Sequence, residues 1–123
     1  MRGEASAEEA LESLRLSWPA YFASPHHVMP FTMRAISIRA YAGLWSSLMA
    51  ALPALERALS TITLPFGCIA GAESPVPYEE AAGATVRAIP GAWLEVVPGA
   101  GHFPWFERPG CIRAGLERLT ARA

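Results

Sequence analysis

Ala92-Trp93-Leu94-Glu95-Val96-Val97-Pro98-Gly99-Ala100-Gly101-His102-Phe103-Pro104 is the stretch whose reading decides the fold. Its first half is an apolar run of strand length, and it stops at Pro98-Gly99. Gly99 and Gly101 let the backbone turn sharply without a Cβ penalty. That turn delivers a lone imidazole, His102, with aromatics directly behind it. Histidine is the side chain whose charge changes near neutral pH, so a strand end that presents one is suited to proton transfer in a cleft. Taken alone, Gly-x-Gly-His reads more readily as a turn with a surface histidine, because so short a motif is weak. The residues around it decide between the two.

Upstream, Leu64-Pro65-Phe66-Gly67-Cys68-Ile69-Ala70-Gly71 is a second short apolar run bounded by Pro and Gly, and it reads as a buried strand. Glu73-Ser74-Pro75-Val76-Pro77 is a loop. Tyr78, Ala82, Val86 and Ile89 then recur at helical spacing, which predicts a helix over 77–88, broken by Pro90-Gly91. Downstream, Ile112, Leu116 and Leu119 mark a last amphipathic helix, with Pro109 at its start. The order strand, helix, strand, helix is a βαβ unit with parallel strands and a right-handed crossover. Ligands in such sheets gather outside the carboxyl ends of the strands. Glu73 and Ser74 leave one carboxyl end and His102 the other, so they are expected on one rim.

The first half is helical. Ser6-Ala7-Glu8-Glu9 is a capping box that starts a helix at Ala7, running to Leu16 or Trp18. Residues 23–31, with Pro25, Pro30 and His26-His27, read as a loop. A second helix is expected from Met33, with Ile38, Tyr41, Trp45, Leu48 and Leu52 on one apolar face. Pro53 suits the first turn of a third short helix through Leu59.

Composition narrows the chemistry. The chain of 123 residues is at most one domain of modest core, and its 52% hydrophobic share suggests surface that expects a cover. Its net charge of −1 gives no electrostatic reason to expect nucleic acid or an acidic membrane surface. Lys, Asp, Asn and Gln are absent. That excludes a Walker-type phosphate loop, a Schiff-base lysine, an EF-hand loop and any triad aspartate from this chain. Cys68 and Cys111 have no metal-ligand spacing and read as small buried thiols in a reducing compartment. His26 and His27 with Cys68 or Glu107 form no ligand-spacing motif, so neither a metal nor a cofactor is expected. No secretory signal pattern opens the sequence and the apolar stretch 40–52 is too short to span a bilayer, so a cytoplasmic location is expected.

The residues of the second half, from Leu64 to about Leu119, resemble the C-terminal part of the α/β-hydrolase fold, among the proline iminopeptidases and related esterases. Phe66 through Pro77 looks like the penultimate core strand and its acid-bearing turn. Ala88-Ile89-Pro90-Gly91-Ala92, with Val97 through Pro109, looks like the final strand and the catalytic-histidine loop. The resemblance implies an α/β fold in two parts: a helical cap-like segment, 1–63, and a βαβα part of the core, 64–123. It implies that His102 is the general base of a serine nucleophile. Phe103 and Trp105, with Phe106, read as lining an acyl or prolyl pocket beside His102 or, equally, as anchoring the loop on the core. Ser74 stands where the family usually has an aspartate, and it supplies no negative charge. The triad acid is then Glu73 or a residue upstream of Met1.

The family's Gly-x-Ser-x-Gly elbow is missing, and Ser46 and Ser47 read as ordinary helix serines. The chain thus reads as a fragment of a serine hydrolase acting on ester, amide or N-terminal prolyl bonds. It is expected to take a small-molecule or peptide substrate only in a complete enzyme, and to lack turnover by itself. A non-catalytic reading stands beside this one: a truncated or binding module that self-associates or docks with an N-terminal half, because exposed strand edges recruit other strands.

Overall fold

The computed structural model describes residues 6–121. Helix α1, Ala7–Ser17, begins at the expected capping box: Ser6 Oγ accepts from the Glu9 N–H at 3.1 Å, and Glu9 Oε2 accepts from the Ser6 N–H at 2.7 Å. The Ser6 backbone N–H, and after it the Ser6 side chain, stabilise the carboxylate and hold the Glu9 pKa below its ordinary value. The chain then tightens into a 3-10 turn, Trp18–Tyr21, where Pro19 lacks the N–H that would continue α1.

Helix α2, Ile38–Leu59, differs from expectation at both ends. It starts at Ile38 rather than Met33, because Ser37 caps it by accepting from the Ala40 N–H at 3.1 Å. Pro53 lies inside this one helix instead of opening a third. Strong helix formers flank it on both sides, from Leu48 to Leu52 and from Ala54 to Leu59. The hydrogen bond that Pro53 cannot make falls on an exposed face, where water can substitute for it.

Strands β1, Gly67–Gly71, and β2, Trp93–Val97, pair in parallel with Gly67 opposite Trp93 and Gly71 opposite Val97. The fold class is mixed α and β with a two-stranded parallel sheet. β1 is shorter than the apolar run suggested: Pro65 has no N–H to pair, and Leu64 is exposed. The helix expected over 77–88 is real but not uniform. Glu79–Gly83 forms a wide π turn that closes with the Gly83 N–H on the Tyr78 carbonyl at 2.7 Å, and α3, Ala84–Ala88, continues it. A short helix α4, Pro104–Glu107, was not foreseen. Helix α5 spans Cys111–Thr120 and is entered through Gly110 at φ 102°, so Pro109 stands before the helix rather than in its first turn.

The core is small: Phe22, Ile89, Trp93, Val97 and Ala100 are its buried apolar residues. Trp93 is roofed by the Arg118 guanidinium 5.0 Å from its ring, and Arg118 also pairs with Glu95 at 3.2 Å. Cys68 and Cys111 are half-buried, not buried, because so thin a core leaves β1 and the start of α5 partly open. Burial still pushes the Cys68 thiol up. Among the described residues no helix is long and apolar enough to cross a membrane.

The strand ends are packed too closely for added atoms. A Cβ on Gly71 would collide with the backbone of Ala100 and Gly101, whereas one on Gly43 of α2 would meet open space. Gly71→Ala is expected to cost about 3 kcal/mol. Gly43→Ala is expected to stabilise by about 0.5–1 kcal/mol. Urea unfolding of both variants checks the contrast, and equal midpoints would contradict the packing at Gly71.

Candidate functional site

The two carboxyl ends are stitched to each other before any side chain acts. Beyond β1, the Ala72 N–H donates to the Val97 carbonyl at 3.0 Å and the Glu73 N–H to the Ala100 carbonyl at 2.9 Å. Beyond β2, Gly99 takes a left-handed conformation at φ 66°, and the Arg108 side chain lies against it, with Nε donating to the Pro98 carbonyl at 3.3 Å. His102 then leaves a loop whose backbone is held from both sides.

A buried carboxylate fixes that loop. Glu107, at the end of α4, is 3% exposed. Its Oε2 accepts from the Gly101 N–H at 2.6 Å, and its Oε1 from the Ala23 and Ser24 N–H groups at 2.9 and 3.2 Å. Three backbone donors satisfy a charge that burial would otherwise make costly. The His102 N–H donates to the Tyr21 carbonyl at 2.7 Å, so residues 21–24 lie directly against the histidine loop. Gly101 has to be glycine here, since a Cβ would meet the Tyr21 carbonyl and the backbone of Phe22 and Ala23. Sequence reading missed this role and weighed Glu107 only as a metal ligand. Its signal was a lone acidic residue within an aromatic and proline-rich segment, Phe103-Pro104-Trp105-Phe106-Glu107.

His102 Nδ1 lies 2.9 Å from Ser74 Oγ, so the two residues expected on one rim do meet. Ser74 Oγ also accepts from the Val76 N–H at 3.1 Å. A hydroxyl both donates and accepts, so Ser74 is compatible with either neutral tautomer of His102. A carboxylate would accept only, and would hold the proton on Nδ1. Nε2 makes no hydrogen bond among the described residues. Glu73 does not join the pair: its carboxylate is exposed and makes no hydrogen bond among the described residues, while its backbone N–H ties the turn to Ala100. Of these two adjacent residues only Ser74 hydrogen-bonds the imidazole.

A cavity of about 170 Å³ opens beside the pair, and apolar groups dominate its wall: Ile69, Val76, Tyr78 and Ala82 besides Ser74 and His102. The π turn brings Tyr78 and Ala82 to it. Phe103 and Trp105, expected as pocket residues, are not in its wall. Phe103 instead packs on Trp18, Tyr21 and Phe22 at ring separations of 5.3, 6.1 and 5.3 Å, anchoring the loop to the first half. Trp105 touches Phe103 at 5.6 Å and is otherwise half open to solvent. His26 and His27 are exposed on a 3-10 turn, Pro25–His27, and Glu107 is already engaged. Among the described residues no three His, Cys, Asp or Glu side chains converge as metal ligands would.

Two variants test these contacts. Glu107→Gln turns an acceptor into a donor against a backbone N–H, and is expected to cost about 2 kcal/mol, read by urea unfolding. Ser74→Asp is expected to convert His102 from mixed tautomers to a single Nδ1–H form. Imidazole ¹⁵N shifts report this, and an unchanged pattern would contradict the contact.

No family model and no curated protein matches the chain. Among solved structures, the chain is similar to Est816, described as an N-acyl homoserine lactone degrading enzyme. The identity is 33% over 52% of this chain and 25% of that one, with a TM-score of 0.47. The chain thus spans about a quarter of the length of the structure it matches.

Proposed function

We propose that this chain supplies the catalytic histidine of a serine hydrolase whose nucleophile and oxyanion hole lie outside it. The substrate class is an ester, an amide or an N-terminal prolyl bond. The observation that carries the reading is the placement of His102: it stands on a braced loop at the carboxyl rim, with Nδ1 engaged at 2.9 Å and Nε2 making no hydrogen bond among the described residues. Support also comes from the resemblance of residues 64–119 to the histidine-bearing end of the α/β-hydrolase core. In the complete site Nε2 takes the proton of a serine as its oxygen attacks the carbonyl, then returns it to the leaving group. Ser74 orients the ring but adds no charge to stabilise the imidazolium, so such an enzyme works below the rate of one with a carboxylate there.

A specific observation also favours the binding-module reading. The chain exposes 8921 Å², against about 6,400 Å² for a folded monomer of 13.2 kDa. Tyr41, Leu44 and Trp45 on α2 are more than half exposed, at 66, 70 and 53%. Such a surface favours association, with an N-terminal half or a second copy as the proposed partner.

The two readings separate in one experiment. The purified chain is mixed with the polypeptide encoded immediately upstream and treated with a fluorophosphonate probe, and the adduct is mapped by mass. Labelling of a serine on the added polypeptide, only in the mixture and lost with His102→Ala, is the expected result. No adduct on the added polypeptide, or one indifferent to His102, would leave the binding-module reading in its place.

A further inference from the structure

We propose that Ser74 is itself a nucleophile, activated through His102 Nδ1, and that the cavity beside it receives the acyl group of a short-chain activated ester. This does not rest on a complementing half. It uses the same histidine through its other ring nitrogen.

The geometry meets what a serine–histidine dyad needs. Ser74 Oγ is 2.9 Å from Nδ1, inside the range for direct proton transfer. The Ser74 hydroxyl can donate to Nδ1 when the ring carries its proton on Nε2, because no carboxylate pins the tautomer. The Val76 N–H, 3.1 Å from Oγ, stabilises the negative charge that builds there as the proton leaves. Neither member is free to drift. The Ser74 N–H donates to the Gly71 carbonyl at 3.3 Å, and the ring of His102 packs edge-on against Tyr21 and Phe103 at 5.4 and 5.3 Å. Both reactive groups are half-buried and face one cavity of about 170 Å³, walled mainly by Ile69, Val76, Tyr78 and Ala82. A mainly apolar wall of this kind accepts a few methylenes and disfavours a charged chain.

The steps balance within the dyad. Oγ attacks the ester carbonyl, an Oγ–C bond forms, and the Ser74 proton passes to Nδ1. The tetrahedral oxyanion collapses, the bond to the leaving oxygen breaks, and that oxygen takes the proton from Nδ1. The product is an acyl-Ser74 and a free alcohol or phenol. Water then adds to the acyl carbon, gives its proton to Nδ1, and the C–Oγ bond breaks as Oγ recovers that proton. Esters whose leaving group carries negative charge well, such as p-nitrophenyl esters, are the class this dyad opens.

The test uses the chain alone. Wild-type protein is incubated with p-nitrophenyl butyrate, and peptides are mapped by mass. A single butyryl group on Ser74 is expected. Its rate of formation should fall about 100-fold in His102→Gln, which keeps a side chain against Tyr21, and should be unchanged when Ser46 and Ser47 are both alanine. The rate should also fall steeply from butyrate to dodecanoate, as the acyl chain outgrows the cavity. No p-nitrophenol release above the Ser74→Ala background, an adduct on another residue, or a rate indifferent to His102 overturns the dyad. Equal rates with the two esters overturn the assignment of the cavity to the acyl group. In the mixing experiment above the adduct falls on the other polypeptide, so the two proposals fail separately.

Discussion

The Glu107 carboxylate is the constraint on which this molecule's arrangement depends. It is nearly completely buried and accepts three backbone N–H groups. One of them belongs to the histidine loop and two to the segment after the first 3-10 turn. Remove the charge and those donors lose their partner in a place water does not reach freely. Hold it, and the loop, the short helix α4 and residues 21–24 become one unit. The aromatic cluster of Trp18, Phe22 and Phe103 adds area, but its contacts are non-directional and would tolerate a shift. The carboxylate is directional and sets the register.

Much of this was legible in the sequence, and the legible parts share a cause. The strand at 93–97, the capping box at Ser6 and the parallel βαβ order follow from local pattern and local chemistry. The shared rim for Ser74 and His102 followed from topology alone, and the structure closes the two residues to hydrogen-bond distance. The failures have a different origin. Ser37, a favoured N-cap, delayed α2 to Ile38, and the helix formers around Pro53 carried that helix through a residue that normally ends one. The π turn at Glu79–Gly83 leaves no periodic trace, since one wide turn shifts the phase by less than the noise in an apolar pattern. Glu107 could not be placed, because its partners are backbone groups, which carry no sequence signature. Phe103 follows His102 in sequence, but its ring packs on Trp18, Tyr21 and Phe22, distant partners that no local pattern announces.

The hydroxyl that Ser74 presents to His102 Nδ1, in place of a charged group, separates architecture from chemistry. The loop is braced by Glu107, Arg108 and the two backbone bonds beyond β1, and none of these involves the side chain at position 74. The scaffold therefore stands with or without a negative charge facing Nδ1. What changes is the proton inventory of the imidazole: two neutral tautomers instead of one, and two nitrogens that can serve as base. The thin core adds to this picture, since a chain with so few buried side chains owes much of its order to such directed polar contacts.

The spacing of Glu107 from its partners also governs the order in which the chain can assemble. Ala23 and Ser24 lie 84 and 83 positions before it. A ribosome extends the chain from the amino end, so Trp18, Tyr21 and Phe22 emerge long before Phe103, which packs on them. Contacts of such separation close late and slowly. Until Phe103 and Glu107 are made the polypeptide therefore carries an uncovered aromatic segment, the kind of surface that chaperones bind and that aggregation starts from. That exposure ends only when Phe103 packs on Trp18, Tyr21 and Phe22 and Glu107 accepts from the backbone of Ala23 and Ser24.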